Sequence, residues 1–548
     1  MNKKIFSTLI CIGLFSFLEI HGQNINKNKL EITIDSLVPK EVKDNTPGLV
    51  IGIVKDGELL FSKGYGLANI SYNLLNDNEM LYNIGSVSKQ FLGYAFAMLH
   101  VEGKLNIDDS VNKYLDEWPE FNYKVTLRHL LSHTSGYREA YSISNLAGRT
   151  IDVDRLTRKE CLEVVRRQPE LEFIPGSRWV YNSTAWVILA EVLKKVTGQE
   201  ADKWVEENIL KPLRMDDTQI ENFVGEVIIN TAESYSFEKE KGFVNKKSNR
   251  AIFGAADIYT NIKDLVNWIN NYKTMKIGGK AVNKIFLKPH ILNDGANSEY
   301  ALGIVNDYYK GLKRYTHTGS HEEFLSQISY YPDHDLGIIV ISNFGSKGFL
   351  PTTKIADLLL KKHMKVKELK EIKKIEIKKN SLKEYAGLYM ISTFNETLNL
   401  KVLNGVLAID GETKLIPVSR NTFRVKGWSG QIHIEKSSKG EIILTTINGT
   451  KETYTKIERW NPTELDLEKY VGDYWSDEIE TVYHIHIEKE KLIIKHRWLN
   501  DIVLKAISHD LFQTNLGYNV KFIRNKKGKV LGLSIYGGRT QNVFFQRK

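Results

Sequence analysis

Two short apolar runs, 49–54 and 59–64, flank the turn pair Asp56-Gly57, a pattern that predicts a β-hairpin. After Gly85 the apolar positions change period. Phe91, Leu92, Ala95, Phe96, Met98 and Leu99 recur at helical spacing, and Glu102-Gly103 supplies the stop. A short helix ending in glycine is expected in 126–136, an amphipathic helix over 185–196 closed by Thr197-Gly198, and another short helix over 265–272. Two strands, 324–330 and 336–342, follow across a turn at Pro332-Asp333-His334-Asp335. Strands at both ends with helices between them predict an α+β domain whose antiparallel sheet is closed by its first and last strands.

Beyond residue 380 the texture is strands only, and it repeats. Leu382-Lys383-Glu384-Tyr385-Ala386-Gly387-Leu388-Tyr389 returns as Leu467-Glu468-Lys469-Tyr470-Val471-Gly472-Asp473-Tyr474, each followed by short alternating runs. Each copy has the length of a small antiparallel barrel. The expected organisation is a signal peptide at 1–22, the α+β domain at 23–362, a basic linker at 363–380, and β-barrels at 381–460 and 461–548.

Charge and cysteine content narrow the partners. The net charge of +10 comes from lysines spread over all 548 residues; the densest run, 361–379, holds nine lysines against three glutamates. No nucleic-acid motif accompanies it, so it reads as a solvated linker and no nucleic-acid partner is expected. Asn2-Lys3-Lys4 followed by an apolar stretch and small residues near Gly22 has the form of an export signal, too short for a stable membrane anchor. A periplasmic or secreted protein without a transmembrane anchor is therefore expected. After cleavage Cys161 is the single cysteine, so no internal disulfide forms, and Cys161 is expected to be buried and inert. His484 and His486 share a strand face, but no carboxylate or cysteine is spaced to join them, and neither metal nor cofactor is expected.

The chemistry concentrates at Ser86-Val87-Ser88-Lys89, where a hydroxyl and an amine stand three residues apart at the start of a helix. A serine becomes a nucleophile when a neighbouring base takes its proton, and a lysine does so when its ammonium is destabilised. The same spacing recurs at Ser110/Lys113 and Ser236/Lys239, but only Ser86 sits at a sharp boundary between a glycine and a long apolar helix. Tyr181 lies in a tight loop after Pro175-Gly176, where nearby cations would push its phenol toward phenolate and make it a general base. His317-Thr318-Gly319-Ser320 enters the strand pair and offers backbone N–H groups at a strand edge.

Together these residues resemble the serine β-lactamase and penicillin-binding-protein superfamily, in the branch of class C β-lactamases, D-aminopeptidases and esterases. Leu130–Gly136, Lys211–Met215 and Gly254–Tyr259 extend the likeness, which runs from Leu49 to Asn343. The two β-domains resemble the lipocalin-like barrels appended to D-aminopeptidase-type members. The resemblance implies Ser86 as acylated nucleophile, Lys89 as its amine partner and Tyr181 as proton shuttle. It implies an oxyanion hole from the N–H groups of Ser86 and Ser320, with Ser183, His317, Thr318, Gly319 and Ser320 along the substrate. His317 replaces the lysine of β-lactamases and would carry a partial, switchable charge. The asparagine expected two residues past the tyrosine is Ser183 here, which offers a shorter, single donor.

The expected function is an exported serine hydrolase acting through an acyl-enzyme on small D-residue peptides or peptidoglycan-type fragments, as a D-aminopeptidase or DD-carboxypeptidase does. A carboxylic-ester hydrolase or β-lactamase is the alternative. A penicillin- or peptidoglycan-binding sensor with a degraded site is the second. The β-domains are expected to shape access to the pocket or to dock to a surface.

Overall fold

Strand β1 (Leu49–Lys55) sends Val50 and Val54 to one face and Leu49, Ile51 and Ile53 to the other, and all five are buried. A strand apolar on both faces must be covered on both. The computed structural model describes residues 27–548 apart from 152, 346, 366–378, 392–395, 426–430, 438–440 and 446–450. The expected signal segment, and most of the expected linker, therefore lie outside the described residues.

β1 joins β2 (Glu58–Tyr65), β3 (Val305–Tyr309), β4 (Leu312–His321), β5 (Phe324–Tyr331) and β6 (Leu336–Ser342) in a six-stranded sheet ordered β3-β4-β5-β6-β1-β2. The first strand pairs antiparallel with the last, Leu49 opposite Ser342, which is the closure the strand pattern predicts. The helices that build the core and the site are, in chain order, α1 (Lys27–Asp35), α2 (Lys89–Val101), α3 (Leu127–Leu131), α4 (Ala140–Leu146), α5 (Thr184–Thr197), α6 (Ile262–Thr274) and α7 (Thr352–Leu359). Leu30 and Ile34 of α1 and Ile355 and Leu359 of α7 cover one face of the sheet. The other face packs on α2 and α6 through Phe91, Trp268 and Ile269, with α5 behind α2. The α6 helix is longer than expected because Asn261 caps its start, accepting from the Asp264 N–H, and Met275 ends it in a left-handed conformation.

Eight antiparallel strands, from β7 (Gly387–Ile391) to β14 (Lys451–Ile457), close one barrel, and eight more, from β15 (Gly472–Ser476) to β22 (Thr540–Arg547), close a second. The sequence repeat encodes the same clasp at each barrel entry. The Tyr389 hydroxyl donates to the Tyr385 carbonyl at 3.1 Å, and the Tyr474 hydroxyl to the Tyr470 carbonyl at 2.8 Å. Among the described residues no helix is long and apolar enough to cross a membrane.

The second barrel shares its core with the α+β domain. Ile143 and Leu146 of α4 enter the barrel's hydrophobic cluster, and the Tyr483 hydroxyl donates to the Leu146 carbonyl at 2.7 Å. Arg138, with no exposed side-chain surface, ties the joint. It forks onto Glu478 at 2.6 and 3.1 Å, reaches Glu172 at 3.2 Å, and donates to the carbonyls of Gln541 and Asn542. Both carboxylates are also buried, so the guanidinium is what makes their burial tolerable.

Arg138→Ala should therefore strand two buried carboxylates and destabilise the protein by about 3–5 kcal/mol. Thermal denaturation with limited proteolysis reads this out: a lower melting temperature and earlier cutting in the second barrel are expected. An unchanged melting temperature would refute the latch.

Candidate active site

Ser86 lies in a single 3₁₀ turn, Gly85–Ser88, with α2 beginning at Lys89. Gly85 has φ +51°, and a Cβ there would sit 2.6 Å from the Ser320 nitrogen. A Cβ on Gly319 would sit 2.0 Å from the Ile84 carbonyl oxygen. These two glycines let the nucleophile turn press directly against β4. The Ser326 hydroxyl donates to that same Ile84 carbonyl at 2.7 Å and fixes the contact. β3 pairs with β4 only as far as Thr316, so His317–His321 have no strand on that side. Along this stretch His317 and Gly319 are buried while Thr318 and Ser320 are exposed. The structure thus brings Ser86 and the strand edge together.

Lys89 is fully buried. Its Nζ donates to the Ser86 Oγ at 3.0 Å and to the Ala255 carbonyl at 2.5 Å. Ala255 is held in place by its neighbours: the Ile84 N–H donates to the Ile258 carbonyl, and the Ile258 N–H to the Ser88 hydroxyl. Burial lowers the Lys89 pKa to about 7; Glu139 and Asp257 pull it up, and Arg539 pushes it down. Asp257 pulls weakly because burial raises its own carboxyl to about 7. Burial also raises the Glu139 carboxyl. The other two Ser-x-x-Lys matches lack this setting. Lys113 is exposed and paired with Asp109, and Ser236 stands on a short strand, Tyr235–Glu238.

Tyr181 is held by two knitted loops. Gly176 donates to the Thr134 carbonyl, Val180 to the His133 carbonyl, and the Asn182 N–H to His133 Nδ1 at 3.0 Å. Lys89 Nζ is 5.1 Å from the Tyr181 ring centre, and the Arg539 guanidinium carbon is 4.9 Å from it. These cations do not make a phenolate. Burial dominates and raises the Tyr181 pKa, while Ser86 and Arg539 only partly offset it, so the residue is a phenol at neutral pH. Its buried hydroxyl makes no formed hydrogen bond among the described residues.

His317 departs further from the sequence reading. It is buried, and its pKa falls to about 3, through burial first and then the Lys89 charge. The ring's hydrogen bonds are consistent with a neutral form. Nδ1 donates to the Thr318 carbonyl at 2.6 Å, and Nε2 accepts from the Tyr300 hydroxyl at 2.8 Å. His317 is thus a neutral strut and carries no switchable charge. The Ser183 hydroxyl has no hydrogen bond to Lys89; instead the Ser183 N–H donates to Glu139 Oε2 at 2.5 Å, and Asn182 braces the loop through Tyr137 O at 2.6 Å.

A family model described as Beta-lactamase matches residues 34–360, more than half of the 548-residue chain. The chain belongs to the beta-lactamase family. A domain of unknown function (DUF3471) matches 458–547, the second barrel. Protein flp of Staphylococcus aureus (strain MRSA252) is 27% identical over 339 residues, 58% of this chain and 64% of that protein. The chain thus spans less than two thirds of the length of such curated relatives. A D-aminopeptidase of Brucella anthropi is 23% identical over 308 residues, 56% of this chain and 58% of its own. Among solved structures, the octameric penicillin-binding protein homologue from Pyrococcus abyssi superposes with TM-score 0.54 at 24% identity, covering 79% of this chain and all of that one. SurE superposes with TM-score 0.51 at 15% identity over 95% of this chain and 99% of its own. At these identities the structural likeness shows the fold alone.

Around this site, sequence reasoning missed Glu139, Asp257 and Tyr300 of the beta-lactamase-family domain and Arg539 of the second barrel. The first two lie within or just beyond the matched segments at Leu130–Gly136 and Gly254–Tyr259, but an ionisable residue in a loop carries no mark of its burial. Tyr300 and Arg539 stand in segments with no motif at all.

The pH dependence follows from Lys89. If Lys89 serves as the base for Ser86, its amine must be neutral to accept the proton, so activity should rise with pH across an acid limb centred near 7. His317, titrating near 3, should add no limb between pH 4 and 6. Rates of Ser86 acylation measured from pH 5 to 9 test this; a flat profile would contradict it.

Proposed function

We propose that the chain is an exported serine hydrolase that works through an acyl-enzyme on Ser86. Lys89 removes the hydroxyl proton, the Ser86 oxygen attacks the substrate carbonyl, and the N–H groups of Ser86 and Ser320 hold the oxyanion. Tyr181, a phenol, passes the proton from Lys89 to the leaving group. Water then hydrolyses the ester with Lys89 and Tyr181 returning the proton to Ser86. The substrates are small peptides with D-residues or peptidoglycan-type fragments. The observation that carries this reading is the 3.0 Å contact between the Ser86 hydroxyl and a fully buried amine whose pKa is drawn to about 7. The D-aminopeptidase among the relatives supports the substrate class, and the basic-apolar start of the chain supports export.

Incubation with a fluorophosphonate or a penicillin, followed by intact-mass measurement, tests the reading. One adduct is expected, absent from Ser86→Ala. Turnover of D-alanyl peptides should fall at least about 10⁴-fold in Ser86→Ala and about 10²–10⁴-fold in Tyr181→Phe. Adducts that form without turnover would favour a binding or sensor protein. No adduct with any acylating agent would end the hydrolase reading.

A further inference from the structure

The second barrel projects one charged side chain toward the site. The hairpin between β21 (Val530–Gly537) and β22 turns through Gly537 and Gly538, both at positive φ, and presents Arg539 at its tip. The guanidinium stands over the Tyr181 ring. Just past the tip the chain is pinned to the catalytic domain. The Gln541 and Asn542 carbonyls accept from Arg138, and the Gln541 N–H donates to Glu172 at 3.1 Å. The arginine is therefore delivered by an anchored hairpin and does not ride on a free loop.

Its charge is unspent. Arg539 is exposed, and among the described residues no carboxylate lies within ion-pair distance of it. Glu139, the acid whose carboxyl feels Arg539 most directly, is fully buried and donated to by the Ser183 N–H. The other cationic candidates are weak: His317 and His133 are buried and neutral, and Lys89 must be neutral to act. Among the described residues the site thus has one permanent, accessible positive charge, and it comes from another domain. A guanidinium beside a stacked phenol is suited to a planar, bidentate anion.

We propose that Arg539 is the carboxylate receptor of the Ser86 site, so that the preferred substrate is a peptide with a free carboxylate on the residue that leaves. This rests on the hydrolase reading and narrows it. Release of a C-terminal residue fits a cationic clamp, whereas removal of an N-terminal residue would place a substrate ammonium against Arg539 and be repelled.

The test uses the full-length protein and a matched pair of substrates, an N-acetylated D-alanyl-D-alanine peptide and its C-terminal amide. The wild type should favour the free acid in kcat/KM by at least about tenfold. Arg539→Ala should erase that preference mainly through KM, and Arg539→Lys should restore part of it. Equal preference in wild type and Arg539→Ala would overturn the proposal while leaving Ser86 acylation intact. A neutral fluorophosphonate separates the two claims, since its capture reports on Ser86 without a carboxylate. If it labels nothing, calorimetry of acetyl-D-alanine on Ser86→Ala still decides. Binding weakened about tenfold or more by adding Arg539→Ala supports the receptor, and binding that is absent or unaffected overturns it.

Discussion

The site depends on an amine held out of water. An ammonium buried without a carboxylate in contact is costly, and the molecule resolves the conflict by letting the proton leave. Ser86 and the Ala255 carbonyl are the only hydrogen-bond partners of Lys89 among the described residues, and both suit a neutral amine. Glu139 and Asp257 sit close enough to be felt but make no ion pair with it, and burial raises both carboxyls. Had either acid closed on the lysine, the amine would hold its proton and the serine its own. The distance at which these acids are kept therefore sets the protonation of the amine. It is imposed by backbone contacts such as Ser183 N–H to Glu139 and Ile252 N–H to Asp257.

The same burial sets the rest of the chemistry. It keeps Tyr181 a phenol despite two neighbouring cations, and it keeps His317 neutral despite its place on the strand edge. Desolvation wins at both residues, each of which packs among rings: Tyr181 lies 4.1 Å from the His133 ring, and His317 lies 5.7 Å from the Tyr300 ring and 6.4 Å from the Tyr181 ring, centre to centre. In the proposed reaction the relay would therefore start from a neutral phenol and from the neutral form of the lysine, whose pKa lies at about 7.

Local patterns in the sequence carried much of the fold. The Asp56-Gly57 hairpin, the apolar period after Ser86 and the β5–β6 pair are set by side chains a few residues apart, and they stand where the pattern places them. The tyrosine repeat was legible for the same reason, since each clasp closes within four residues. Ser86 and Lys89 were legible because one turn of chain joins them. What stayed hidden was environment. The charge state of His317 depends on its burial and on Lys89, far away in the chain, and that of Lys89 on its burial and on Glu139, Arg539 and Asp257. None of these contacts leaves a periodic trace in one dimension.

The two barrels show how one framework takes two positions. Both carry the same entry clasp, and both close eight strands. The first touches the catalytic domain through Phe173 and a partly exposed Arg178–Glu452 pair. The second merges its core with α4 and encloses a guanidinium shared by three chain segments. An exposed pair holds surfaces together weakly, whereas a buried, fully satisfied network fixes their register. The second attachment is the one that sets a side chain, Arg539, over the Tyr181 ring. The guanidinium beside Tyr181 thus comes from a residue more than 350 positions further along the chain, and in the proposed reading the beta-lactamase-family domain would supply the reacting groups while the second barrel supplies that charge.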